Sequence, residues 1–148
     1  MKTILAYTDG ACKGNPGPGG WGGVIIDQGE ITTYKGFEKD TTNNRMELTA
    51  VIEVVGKIDI KDSVTIYTDS QYVMKGMLEW VANWQRRGWR TSSNKPVKNA
   101  DLWKQLIQVL ASRDITWQWV KGHSGDQYNE MADALANEAI DQAMMIDK

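Results

Sequence analysis

The chain has few of the residues that most often hold metals and cross-links. Its 148 residues include one cysteine, Cys12, and one histidine, His123. A single thiol excludes an internal disulfide and a cysteine-based zinc site. A single imidazole excludes the two-histidine zinc motifs. Long apolar runs are also missing, because Lys, Asp or Glu interrupts each one short of membrane-spanning length. No apolar signal segment follows Met1, so a cytoplasmic location and no membrane partner are the expectation. Residues 10–23 carry seven glycines and two prolines, but neither the Gly-Lys-Ser/Thr ending of a P-loop nor GxGxxG is present, which argues against a nucleotide cradle.

Strong net charge is lacking as well. The balance is −2, with a sequence pI near 5.4, and taken alone it argues mildly against a polyanionic partner. Its distribution argues the other way. Between Val81 and Ala100 stand Arg86, Arg87, Arg90, Lys95 and Lys98, with no acid among them. Local potential governs phosphate affinity, so an acidic protein with a basic lobe can bind a polyanion. The chain has 41 % hydrophobic and 24 % charged residues, which fits one domain over residues 1–148 with a real core.

What is present begins with a near repeat. Tyr7-Thr8-Asp9-Gly10 and Tyr67-Thr68-Asp69-Ser70 each close a β-rich run and then break. Two strands ending alike can place two carboxylates side by side, and like charges so placed call for a cation. Residues 2–9 read as a buried strand, residues 10–23 as a turn-rich segment, and residues 21–27 and 30–37 as a hairpin about Gln28-Gly29. Thr41-Thr42-Asn43-Asn44 reads as the entry to a helix ending near Val55 and Gly56. Glu47 falls on its apolar stripe of Ala50, Val51, Val54 and Ile58, where a carboxylate needs a partner.

Residues 64–68 form the next strand, and the intervening helix makes a parallel β-α-β unit. Residues 71–77 and 78–87 read as helices separated near Gly76. Asn99 is placed to cap a helix over residues 100–112, residues 115–120 form a fifth strand, and Asn129 is placed to cap a last helix carrying Asp133 near its start.

Asp9, Glu47, Asp69 and Asp133 fit poorly as surface charge when taken together, although each has an ordinary reading: strand-end or turn Asp, a helix-dipole partner, or an ion pair of Glu47 with Arg45 or a Lys. Without usable Cys and with one His, an all-carboxylate set suits Mg2+ or Mn2+ rather than zinc. Two such ions about 3.5–4 Å apart are the known device for phosphodiester displacement. His123, between Gly122 and Gly125, reads either as an exposed side chain or as a proton carrier beside the metals. Glu130 reads chiefly as surface charge. Trp103, Trp117 and Trp119 read as core. Trp80, Trp84 and Trp89, interleaved with Arg86, Arg87 and Arg90, read as a backbone-binding platform, the alternative being a solvated basic face. Asn15, Asn43, Asn44 and Gln71 offer donor and acceptor together, which suits base edges and 2′-hydroxyls, although Asn43 also suits a cap. Gly10 and the turn after it, with Cys12 and Asn15 alongside, read as an opening through which a nucleic-acid backbone reaches the acids.

Thr8-Asp9-Gly10-Ala11-Cys12, Asn15-Pro16-Gly17, Thr42-Asn43-Asn44-Arg45-Met46-Glu47, Thr68-Asp69-Ser70-Gln71-Tyr72, Lys121-Gly122-His123 and Asn129-Glu130 with Ala132-Asp133 resemble, in order, bacterial ribonuclease H of type 1. The resemblance runs from about Lys2 to Ala143, and the stretch from Trp80 to Trp103 is similar to that family's basic protrusion, expected here at about residues 80–99. It implies an α/β ribonuclease H-like fold, a five-stranded mixed sheet in the order 3-2-1-4-5 flanked by helices. It implies a monomeric endonuclease that cuts the RNA strand of an RNA/DNA hybrid, leaving 5′-phosphate and 3′-hydroxyl ends. By position, Asp9, Glu47, Asp69 and Asp133 would hold two Mg2+, with Mn2+ a possible substitute, and His123 would shuttle a proton or help product leave. Asn15, Asn43, Asn44 and Gln71 would read the minor groove. Thr42, Asn99 and Arg45 would grip a DNA phosphate, and Tyr72, Trp80 and Trp84 would line a DNA channel. Two other readings stand beside it. A related polynucleotidyl transferase, such as a resolvase or integrase core, should lack the TNNRME string and the Trp-rich lobe. A catalytically silent hybrid-binding module should have lost one of the four acids, and all four are present.

Overall fold

The computed structural model describes residues 2–121 and 126–146. Five strands form one sheet: β1 (Thr3–Cys12), β2 (Gly17–Asp27), β3 (Glu30–Thr41), β4 (Ser63–Thr68) and β5 (Ile115–Trp119). Their order is β3-β2-β1-β4-β5. The first three pair antiparallel, while β4 joins β1 and β5 joins β4 in parallel, as the intervening helices require. The expected mixed α/β sheet and its order are those observed. The helices are α1 (Asn43–Val55), α2 (Gln71–Lys75), α3 (Val81–Arg86), α4 (Ala100–Leu110) and α5 (Gln127–Ile146), with a π-helical turn (Gly76–Trp80) between α2 and α3.

Alternation along the strands divides the core in two. Ile4 and Ala6 of β1, with Val64 and Ile66 of β4, face Leu48, Val51, Val54 and Val55 of α1 and Leu102, Trp103 and Leu106 of α4. On the opposite face Tyr7 and Val24 meet Ala132 of α5, which lies against β1, β2 and β3. Each fully buried Val, Leu or Ile contributes about 1.5–3 kcal/mol, so these two layers fix where the strand ends sit.

The hairpin turns at Gln28 and Gly29, both with positive φ (52° and 88°), as a two-residue connection demands. Several expected boundaries moved, each for a physical reason. β1 does not end at Asp9; it pairs with β2 as far as Cys12↔Gly19. The glycine-rich run is therefore strand from Gly17 onward, not turn. Its small residues serve the helix above. A Cβ on Gly22 would lie 2.3 Å from the carbonyl oxygen of Ala132, and one on Gly20 would lie 2.3 Å from that of Ala136, so α5 can press its backbone onto β2 only if both are glycine. Ile58 is buried, but it lies beyond the end of α1 rather than on its stripe.

Asn99 precedes α4 but makes no side-chain cap bond. Asn129 is not a cap either. Asp126 takes that role, accepting from the N–H groups of Tyr128 and Asn129 at 3.0 Å each, and Asn129 is buried inside α5. Trp103 is core, as expected, and Trp117 is partly buried against it. Trp119, expected as core, is instead 44 % exposed at the end of β5, the edge strand, which has a neighbour on one side only.

Candidate active site

The parallel register of β1 and β4 sets Tyr7 beside Tyr67 and Thr8 beside Thr68. The two tyrosine rings stack at 4.2 Å. Beyond Thr8 that pairing stops, and the chain positions of Asp9 and Asp69 follow from the same register. The repeat noticed in the sequence is thus a real adjacency, although Asp9 lies inside β1 rather than at its end. Glu47 comes from the first turns of α1, whose start is set by the Thr42 hydroxyl accepting from the Arg45 N–H at 3.2 Å. Asp9, Glu47 and Asp69 each offer a carboxylate oxygen within 4.8 Å of the others'. Asp9 and Glu47 are 5 % and 7 % exposed.

Gly10 makes that convergence possible. Its N–H donates to Oδ1 of Asp9 at 3.0 Å and also to Oε1 of Glu47. A Cβ at residue 10 would lie 2.5 Å from both the Glu47 nitrogen and the Met46 carbonyl carbon. Gly10 is therefore filled by α1 and is not an opening for a nucleic-acid backbone, which corrects that reading of the sequence. Ser70, which sequence reasoning missed as a site residue, is buried, caps α2 through the Val73 N–H at 3.2 Å and hydrogen-bonds Glu47. The signal was there, since Ser directly after Asp69 and before an apolar run is a helix-cap pattern.

The electrostatics of the trio demand a counter-charge. Burial first, then the charges of Glu47 and Asp69, push the Asp9 carboxyl far above the ordinary carboxylate range. Its hydrogen bonds with Glu47 and Asp133 favour the protonated form further. Burial and the Asp69 charge also push Glu47 up, opposed by hydrogen bonds from Asp9, the Gly10 N–H and Ser70. Left alone, the site keeps a proton. Among the described residues none of the four acids forms a salt bridge with Lys or Arg, and Arg45 pairs with Asp101 rather than with Glu47. Buried carboxylates, all-oxygen donors and no cationic side chain together fit a hard divalent ion. Asp133, half-buried on α5, reaches Asp9 by hydrogen bond but stands outside the compact trio. His123 lies outside the described residues. Glu130 is exposed, as expected of surface charge.

Around the acids the remaining expected residues form a rim. The Asn15 side chain accepts from the Asn43 N–H at 3.1 Å, tying the β1–β2 loop to the start of α1. Asn43, Asn44 and Gln71 are exposed. Cys12 is half-buried and donates to the carbonyl oxygen of Gly14 at 2.8 Å, so it braces this loop. Thr42 and Asn99 both hydrogen-bond with Arg45.

Aromatic rings continue outward from the core. Trp103 meets Trp84 at 5.5 Å, Trp84 meets Trp80 at 5.7 Å and Trp89 at 6.2 Å, and Trp80 meets Tyr72 at 5.9 Å. Trp80, Trp84 and Trp89 are half-buried, and their rings pack on one another. Beside them lies an open pocket of ≈ 420 Å³ lined by Trp80, Asn83, Trp84, Arg87, Arg90, Thr91 and Ser92. The loop beyond is closed by Thr91 N–H to Lys95 O at 2.8 Å and Val97 N–H to Trp89 O at 3.0 Å. Arg86, Arg87 and Arg90 are exposed there, and among the described residues no carboxylate pairs with them.

Comparison with known proteins agrees with this geometry. A family model described as RNase H matches residues 1–141. A Ribonuclease H of Alcanivorax borkumensis is 53 % identical over 142 residues, spanning 96 % of this chain and 94 % of its own length. One of Bordetella bronchiseptica is 57 % identical over 142 residues, spanning 96 % and 92 %. Of solved structures, LC9-RNase H1, described as a type 1 RNase H with the type 2 active-site motif, superposes with a TM-score of 0.84 at 35 % identity, covering 96 % of this chain and 74 % of that one. LC11-RNase H1, solved in complex with RNA/DNA hybrid, gives 0.73 at 25 % identity, covering 95 % and 99 %. The chain, with its five-stranded sheet and its carboxylate trio beside β1, belongs to the RNase H family of enzymes.

Proposed function

We propose that this protein hydrolyses the RNA strand of RNA/DNA hybrids endonucleolytically, leaving 5′-phosphate and 3′-hydroxyl ends, as a cytoplasmic monomer with one catalytic domain over residues 1–148. The observation that carries the proposal is the convergence of the buried Asp9 and Glu47 with the half-buried Asp69, to which no Lys or Arg among the described residues pairs. Asp9, Glu47, Asp69 and Asp133 would hold two Mg2+, or Mn2+ in their place. When bound, such ions lower the pKa of an attacking water and neutralise a leaving oxygen.

The chain's own residues do the rest. Asp9 faces Glu47, Asp69 and Asp133 at once, so it would have to release its proton to serve as a metal ligand. Gly10 and Ser70 hold Glu47 in place by hydrogen bonds. His123 would shuttle a proton or help product leave. Asn15, Asn43, Asn44 and Gln71 would contact base edges and 2′-hydroxyls, which requires RNA on the cut strand. Cys12 would support this contact indirectly by bracing the Asn15 loop. Thr42 and Asn99 would hold a phosphate of the DNA strand. Tyr72, Trp80, Trp84 and Trp89 would carry that strand onto Arg86, Arg87 and Arg90, the basic protrusion at about residues 80–99.

The test is cleavage of labelled RNA/DNA, RNA/RNA, DNA/DNA and single strands in Mg2+. Selective cutting of RNA in the hybrid is expected. Equal cutting of all four, or none of the hybrid, overturns the proposal.

A further inference from the structure

Arg45, on the first turn of α1, reaches across to the start of α4. Its Nη1 and Nη2 meet Oδ1 and Oδ2 of Asp101 at 3.0 and 2.8 Å, a two-pronged fork. Nη1 also donates to Oδ1 of Asn99 at 3.3 Å. That bond decides which way the Asn99 amide points. With Oδ1 held towards Arg45, Nδ2 faces the other way and donates to the Tyr72 hydroxyl oxygen at 3.1 Å. The Trp103 indole N–H donates to the same oxygen at 3.0 Å.

The Tyr72 oxygen now accepts two hydrogen bonds, and its own proton is left to donate elsewhere. Among the described residues no acceptor takes it. Among the described residues nothing takes the second Nδ2 proton of Asn99 either. Asn99 itself is held at φ 62° and ψ 26°, a left-handed conformation that Asn tolerates better than most residues. The ion pair that anchors this arrangement is surface-exposed, with Arg45 30 % and Asp101 57 % exposed. Such pairs add little stability. What this one supplies is direction, because it fixes a guanidinium, an amide and a phenol with donors to spare. The nearby first turn of α1 carries no acid, so its N–H groups and dipole add to the positive potential.

We propose that Asp101 is a positioning residue for the DNA strand: by clamping Arg45 it sets the Asn99 amide, so that Asn99, Tyr72 and Arg45 present their spare donors to one DNA phosphate. The proposal rests on the assignment of Asn99 and Thr42 to a DNA phosphate made above. Asp101 touches neither substrate nor metal and acts through Arg45.

Asp101→Asn keeps the shape and removes the charge. On RNA/DNA hybrid in Mg2+ it should raise KM by about fivefold while kcat stays within about twofold, and Asp101→Glu should recover most of the loss. A scan with single neutral methylphosphonates in the DNA strand gives the specific readout. In the parent protein one position should raise KM, and in Asp101→Asn that rise should shrink. If no position matters in the parent protein, the phosphate assignment falls and this proposal with it. If one position matters equally in both proteins, or if Asp101→Asn lowers KM because the carboxylate had been competing with phosphate, the role of Asp101 is overturned while the phosphate assignment stands.

Discussion

Gly76 and Trp103 interlock: a Cβ on Gly76 would lie 1.9 Å from Cη2 of the tryptophan, which is fully buried. The contact sits where the helix widens into its π-helical turn, and it seats the indole whose N–H reaches Tyr72. Gly76→Ala should cost about 1–3 kcal/mol of unfolding free energy. Combined with Trp103→Phe, which makes room, the two losses should sum to less than their separate values. Urea denaturation of the two single variants and the double variant checks this, and strict additivity would contradict the interlock.

Gly10→Ala tests the other tight contact. Backbone atoms of Met46 and Glu47 lie 2.5 Å from the added methyl, and no rotamer relieves a clash with backbone. The start of α1 must move off β1 and take Glu47 with it. The variant should lose about 1–3 kcal/mol of stability and bind Mg2+ about tenfold more weakly. Isothermal titration with Mg2+ measures the second effect separately from the first.

The acidity of the trio makes the metal-free protein sensitive to pH. Asp9 and Glu47 are both raised in the folded state above their unfolded values. From about pH 4 upward, the unfolded chain therefore sheds protons that the folded chain retains. Stability from these groups is complete below that range and declines as pH climbs through the raised folded values. With EDTA, melting temperatures should fall between about pH 5 and pH 9. Asp9→Asn should remove much of the slope, raise metal-free stability by about 1–4 kcal/mol and abolish cleavage while hybrid binding persists. Mg2+ should narrow the stability gap and release protons on binding. An active Asp9→Asn variant would falsify the ligand assignment.

The basic lobe is best tested through salt. Replacing Arg86, Arg87 and Arg90 with Gln should raise KM more than it lowers kcat. The log–log dependence of KM on salt should flatten by up to about 2.7 units if all three meet phosphates. An unchanged slope would make the lobe plain surface.

What could be read from the sequence was local or paired by register. Thr42 and Asn43 announce α1 because a cap is a contact between neighbours. Asp9 and Asp69 could be matched because both follow the same Tyr-Thr pair on strands that lie side by side. The misreadings came from contacts made at a distance. Gly17, Gly19 and Gly20 resemble a turn cluster, yet they lie in β2, where Gly20 and Gly22 sit under α5. Asn99 and Asn129 have the right type for caps, but Arg45 and Tyr72 claim the first and Asp126 displaces the second. Asp101 has no motif at all; its meaning depends on Arg45, 56 positions earlier.

At Thr8, β1 has partners on both sides, Gly23 and Thr68, while at Asp9 only Gly22 remains. Asp9 thus stands one residue past a stretch of β1 paired on both sides, the kind of central strand expected to open only with the whole fold. Residues 80–99 are carried by a short helix and a loop rather than by the sheet. With the roles proposed above, the chemistry would be tied to the survival of the whole fold, whereas the hold on substrate would be open to change at a part less deeply embedded in it.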